Sequence, residues 1–218
     1  MSKDVIICVG TIEGPTFEKC FNIVNSLFKD HEKVLKISVI KNKKPRSEWL
    51  NEMMKQSIES GAKWCLQVDE DMYLYKNALD KLYNFATTSN KKVLSASCLL
   101  QDLFLSSKIG SLKLWNVDAF KFSQFKDVLG SDRQFARDLE KFGFTNIAMD
   151  SVLADHDSAP TPEIAYKKYN EYIEKIYKFN GKEDSERFLA FLRKKSYINN
   201  INMAAYNGAS DKLKWIKK

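Results

Sequence analysis

The stretch Trp64-Cys65-Leu66-Gln67-Val68-Asp69-Glu70-Asp71 decides the fold. Its first five residues form a short apolar run with one polar member, and three carboxylates stop it abruptly. An apolar run of this length, closed by polar residues, reads as a buried strand. Upstream, Ser47 is expected to cap a helix whose apolar stripe is Leu50, Met53, Met54 and Ile58, with Gly61 ending it. Downstream, Asn77-Ala78-Leu79-Asp80 opens a second helix, with Leu79, Leu82, Tyr83 and Ala86 on one face. A strand between two amphipathic helices is the repeating unit of an α/β sheet.

The same alternation extends in both directions. Val5-Ile6-Ile7-Cys8-Val9 is a first strand, followed by a turn-rich loop over residues 10–15. A helix follows, with Phe17, Cys20, Phe21, Val24, Leu27 and Phe28 at three- and four-residue intervals. Residues 34–40 form a second strand and residues 92–98 a fourth, which gives a βαβαβαβ run with right-handed crossovers. Ligands of such sheets bind beyond the carboxyl ends of the strands, and both the 10–15 loop and the 69–71 triplet lie at that edge. Further on, residues 112–115 read as a strand and 133–142 as a helix with Phe135, Ala136, Leu139 and Phe142 inward. Gly143 closes that helix, and two short strands, 145–149 and 152–154, follow. After His156 the character changes. Thr161-Pro162-Glu163 starts a helix with Thr as cap and Pro at its first position. Its stripe is Tyr166, Tyr169, Ile173, Ile176 and Tyr177, expected to pack on the sheet domain, and Asn180-Gly181 stops it. Another helix spans about 184–195, and the tail has no clear pattern. The expected division is therefore a sheet domain over 1–158 and a helical extension over 159–218 packed on it.

Composition narrows the class. With 44% hydrophobic residues, 29% charged, 8 Gly and 4 Pro, the 218-residue chain is globular rather than disordered. No apolar run approaches the roughly 20 residues of a membrane span. The start lacks the core and cleavage pattern of a secretory signal, and Cys8, Cys20, Cys65 and Cys98 have no zinc-type spacing. A cytoplasmic location is expected. The net charge of +7 is spread among acids, with clusters at Lys41-Asn42-Lys43-Lys44, Arg193-Lys194-Lys195 and the C-terminal Lys212-Leu213-Lys214-Trp215-Ile216-Lys217-Lys218. That last segment suggests peripheral contact with the inner membrane face; a frayed polar terminus is the plainer reading. His31 sits in a polar loop and reads as surface.

The triplet is weak as a motif. Fifteen Asp residues in 218 give about one Asp-x-Asp pair by chance, and a second occurs at Asp155-His156-Asp157. Placement gives it weight, because the strand delivers two carboxylates to the ligand edge. Hard cations such as Mg2+ and Mn2+ take carboxylate oxygens together with substrate phosphates. A departing diphosphate needs such a cation. The competing reading is a solvated acidic turn.

Here a resemblance enters. The segment from Asn51-Glu52-Met53-Met54 through Gly61-Ala62-Lys63 to Asp69-Glu70-Asp71 resembles the metal-binding region of the GT-A fold, family-2-like inverting glycosyltransferases. Gly110-Ser111-Leu112-Lys113-Leu114-Trp115 is similar to their acceptor-side segment. Ser131-Asp132-Arg133, then Leu139, Gly143-Phe144 and His156, resembles their closing signature. The likeness covers about residues 4 to 157. It implies a Rossmann-like, mostly parallel sheet flanked by helices. It also implies transfer of a sugar from a nucleoside-diphosphate donor to a hydroxyl on a glycan or protein acceptor, as in glycan or surface-polysaccharide synthesis, with Mn2+ or Mg2+ as cofactor. Asp69, Asp71 and His156 would hold the metal, and Asp69 and Glu70 would meet the nucleotide sugar. Asp155 and Asp157 would compensate the imidazole. Asp132 would be the general base, although Ser131-Asp132-Arg133-Gln134 also reads as a capping box.

Two departures leave the nucleotide pocket open. Gly10-Thr11-Ile12-Glu13 replaces a Pro-x-Tyr-Asn type segment, and Lys41-Asn42-Lys43-Lys44-Pro45-Arg46 replaces an Asp-Asp-Gly-Ser type run. Thr11 and Glu13 leave the first strand at the right edge for base or ribose contacts, and Lys44 and Arg46 could meet the diphosphate. No nucleic-acid partner is expected. The alternatives are a nucleotidyltransferase, for which residues 10–14 make a poor phosphate loop, and a non-catalytic binding domain of the same fold.

Overall fold

A computed structural model describes residues 3–217. The chain divides into two compact units, Met1–Asp157 and Ser158–Lys218. The first contains strands β1 (Val5–Thr11), β2 (Val34–Lys41), β3 (Trp64–Asp69), β4 (Met72–Leu74), β5 (Val93–Asp102), β6 (Ser107–Asn116) and β7 (Thr145–His156). Its helices are α1 (Phe17–Phe28), α2 (Arg46–Glu59), α3 (Ala78–Thr87) and α4 (Ser131–Glu140), with a short 3-10 turn at Val117–Lys121.

The seven strands form one sheet in the order β2-β1-β3-β6-β5-β7-β4. β1 runs parallel to both β2 and β3, and all seven of its residues are buried. Both faces are covered, so β1 needs no polar alternation. On one face Val5, Ile7, Val9, Leu66, Val68, Leu112 and Leu114 pack with Cys20, Val24 and Phe28 of α1 and Leu79 and Leu82 of α3. On the other, Ile6, Cys8, Cys65 and Trp115 meet Trp49, Leu50 and Met53 of α2 and Phe135 and Leu139 of α4. Trp49 lies so close over the end of β1 that a Cβ on Gly10 would fall 1.9 Å from its indole nitrogen.

The expected βαβαβαβ order holds through β5, with β4 added after β3, but β5 does not lie next to β3 in the sheet. An antiparallel strand, β6, inserts between β3 and β5, pairing Gln67 with Lys113 and Ser97 with Lys113. β5 then runs parallel to β7. Residues 145–156 are one strand instead of two, because register shifts at Ser97, Leu99 and Leu100 absorb the polar interruption. Ser47 is not a cap: α2 starts at Arg46 after extended Pro45, and Ser47 is buried in its first turn. Phe142 is 38% exposed and packs at a tilt against Phe122, since the helix ends at Glu140, before its turn reaches the core. His31 is half-buried, its Nε2 3.4 Å from Asp80 and its Nδ1 accepting from Lys33 N. All four cysteines are free and buried.

The second unit consists of α5 (Pro162–Asn180), α6 (Lys182–Lys195) and α7 (Asn200–Ile216). Thr161 caps α5 by accepting from Ile164 N, and Asn199 caps α7 by accepting from Asn202 N at 2.9 Å. Tyr169 and Ile173 are buried, with Tyr169 against the rings of Tyr172 and Phe188. α5 and α7 touch backbone to backbone at Gly208, where a Cβ would lie 2.1 Å from Tyr166 O. Among the described residues no helix is long and apolar enough to cross a membrane.

Candidate active site

The carboxyl ends of β1, β2 and β3 bring Thr11, Lys41 and Asp69 to one edge of the sheet. The chain then turns through Glu70 and Asp71 into β4, whose antiparallel pairing sets Met72 opposite His156. β5 pairs Asp102 with His156 from the other side. Three strand ends thus converge on one imidazole. His156 Nδ1 lies 2.8 Å from Asp102 Oδ2, and Nε2 lies 3.2 Å from Asp71 Oδ2. Asp102 is 1% exposed and also accepts from Leu105 N at 2.6 Å. A neutral imidazole carries one N–H, so it can donate to only one of these carboxylates. The ring satisfies both as an imidazolium, or with a cation at Nε2.

Asp155 and Asp157 do not compensate His156 as expected. Alternation along β7 turns Asp155 to the other face, where it accepts from Tyr75 OH at 2.7 Å, and Asp157, just past the strand, accepts from Tyr73 OH at 3.0 Å. The Asp155 bond, with burial, pushes the Tyr75 phenol up to about 12. Cys20 lies behind the acidic turn, its Sγ 3.6 Å from Asp69 O. Burial, with the Asp71 charge adding, pushes its thiol up to about 12, so it stays protonated and inert.

A second group of charges stands on the α2–α4 face. Arg46, in the first turn of α2, reaches Asp69 with Nη2 3.0 Å from Oδ2. The Asp69 charge raises the Arg46 pKa, and Asp132 and Asp71 add to it. Asp132 lies in the first turn of α4 and pairs with Lys113 of β6. Burial opposes its ionisation. Lys113, the Arg133 backbone N–H and Arg46 outweigh that cost and hold the carboxyl below its ordinary range. The capping box does not form: the cap is Gly130 at φ +77, with no side-chain capping bond. Asp132 therefore points to Lys113, which leaves the sheet on the same face as Trp115.

The loop after β1 is closed on itself. Glu70 accepts from Thr11 Oγ1 and from Gly14 N, and Glu13 N donates to Thr11 Oγ1 at 2.7 Å. A Cβ at Gly14 would lie 2.7 Å from Glu70 Oε1, so a side chain there would push the carboxylate aside. The Glu13 and Gly14 amides, which a phosphate-binding loop would present to its ligand, are thus engaged internally. Thr11 is buried; Glu13 is exposed and binds Lys41 at 2.8 Å and Asn42 at 2.9 Å, and the Lys41 bond lowers its pKa. Lys44 is exposed.

The structure brings Asp69, Asp71, His156, Arg46 and Asp132 to one edge. Sequence reasoning missed Asp102 and Lys113. A signal existed for each: Leu99-Leu100 prolongs the fourth strand toward Asp102, and Lys113 interrupts an otherwise apolar strand. Among the described residues no three His, Cys, Asp or Glu side chains close up as a ready-made metal cage.

The mixed sheet, with helices on both faces and charged groups at its carboxyl edge, has the Rossmann-like fold seen in solved glycosyltransferases. The chain is similar to a mannosyltransferase from Pyrobaculum calidifontis solved with GDP-Man and Mn2+, at a TM-score of 0.57 and 13% identity over 96% of this chain and 73% of that one. It is also similar to a mycobacterial protein (TM-score 0.54, 9% identity, 80% of this chain and 74% of that one). Staphylococcus aureus TarS gives a TM-score of 0.51 at 13% identity, over 80% of this chain but only 40% of TarS. No protein-family model and no curated protein sequence matches the chain.

Proposed function

We propose that the protein transfers a sugar from a nucleoside-diphosphate donor to a hydroxyl acceptor with the aid of Mn2+ or Mg2+. The observation that carries this reading is the imidazole of His156 lodged between Asp102 and Asp71, one turn from Asp69. The donor set suits a hard divalent cation: two carboxylates, and an imidazole whose far nitrogen is already held by a carboxylate. Such a cation keeps several waters and takes substrate phosphates, so few protein ligands suffice. Bound there, it would neutralise charge developing on the diphosphate.

The remaining residues divide the work. Arg46 sits where it can exchange Asp69 for a phosphate oxygen. Glu70 and Thr11 fix the loop that borders the nucleotide, and Glu13 presents the exposed carboxylate there. Asp132 is ionised, stands across the edge from the acidic turn, and takes the acceptor proton. An aspartate base in that place corresponds to inversion at the anomeric carbon. The test is calorimetric binding of a panel of nucleoside diphosphates with and without Mn2+, followed by release of nucleoside diphosphate from the matching sugar donor. Metal-dependent binding with slow donor hydrolysis is expected. No metal-dependent binding to any nucleotide would overturn the reading.

A further inference from the structure

We infer that the turn between α6 and α7 is a docking site for an anionic bilayer surface. Tyr197 and Ile198 form that turn and are 79% and 69% exposed, the highest values among the large apolar residues described. The turn is well defined: Ser196 N bonds to Leu192 O, and Ile198 N to Lys195 O at 3.0 Å. Directly before it the last turn of α6 carries Arg193, Lys194 and Lys195.

Charge sets this turn apart from the C-terminal lysines. Residues 187–210 contain no Asp or Glu, where the 28 acids of the chain would place about three in a stretch of that length. Among the described residues Arg193 and Lys194 make no ion pair. Lys212, Lys214 and Lys217 of the C-terminal segment, the other candidate for membrane contact, are compensated internally, and Lys218 lies outside the described residues. Lys212 pairs with Glu174 at 2.8 Å, Lys217 with Glu186 at 2.6 Å, and Lys214 lies 3.8 Å from Asp211. An outward apolar pair flanked by uncompensated cations fits a surface with anionic headgroups over a hydrocarbon layer. A polyanion such as RNA would use the cations but offers nothing to the branched aliphatic side chain of Ile198.

The test is sedimentation of the full chain with phosphatidylcholine vesicles, with and without phosphatidylserine. Binding to the anionic vesicles alone, released by salt, is expected. Arg193→Gln/Lys194→Gln should weaken it about thirtyfold, from two surface cations. Tyr197→Ser/Ile198→Ser should weaken it at least about tenfold through lost apolar burial, with the thermal melt unchanged in both. Lys212→Gln/Lys214→Gln should change it little. No binding to anionic vesicles, equal binding to neutral ones, full retention by either turn variant, or binding to RNA alone would overturn the inference. None of these outcomes depends on sugar transfer.

Discussion

Replacing Lys113 by Met tests the assignment of Asp132 as base, because the two groups form the tightest ion pair of the site. Lys113 is the strongest of the groups that favour the Asp132 carboxylate; Arg46 and the Arg133 amide contribute less, and burial acts against all three. An adjacent opposite charge lowers a carboxyl pKa by about 1 to 3 units. The Asp132 side chain keeps 44% of its exposure, so solvent screens part of the effect. The sign follows: in Lys113→Met the Asp132 pKa rises, because burial remains while its main counter-ion is gone. Two measurements read it. The carboxyl 13C resonance of Asp132, assigned through Asp132→Asn, should titrate at higher pH than in the parent protein. A base must be ionised, so the acid limb of donor hydrolysis, with water in place of the acceptor, should move up by the same amount. Lys113→Arg should leave both where they were. A resonance that moves while the limb stays would refute Asp132 as the base. A resonance that stays would refute the ion pair as the cause.

Asp102→Asn should weaken Mn2+-dependent nucleotide binding about 10- to 100-fold, as loss of an outer partner of a ligating histidine does; unchanged affinity by calorimetry would remove Asp102 from the site. Gly10→Ala should lower the urea midpoint, since its Cβ would lie 1.9 Å from the packed Trp49 indole, an overpacking cost of about 1 to 3 kcal/mol. An unaltered midpoint would show that Trp49 can swing away. Gly208→Ala is a test of sign. In an exposed helix the change stabilises by about 1 kcal/mol, but here the added carbon would meet Tyr166 O at 2.1 Å. Amide exchange in α5 and α7 should therefore speed up, and slower exchange would refute the close helix contact.

What the sequence revealed follows from the range of the interactions involved. Local patterns were legible: the apolar run into Asp69, the Thr161-Pro162 helix start and the Gly143 and Gly181 stops each depend on residues a few positions apart. The antiparallel insertion of β6 was not, because its register is set by pairing Lys113 with Gln67, 46 positions earlier in the chain. The same non-local pairing hid two functional neighbours. Asp102 becomes a partner of His156 only because β5 and β7 run parallel with their ends aligned, whereas proximity in the sequence points to Asp155 and Asp157. In a strand, adjacent residues point to opposite faces, so sequence proximity there argues against shared contact with one side chain. The Asp69–Asp71 pair escapes that rule, since it spans the turn between two strands and its members go separate ways, to Arg46 and to His156. That divergence is what lets one short acidic turn serve both the basic group beside α2 and the imidazole at the end of β7.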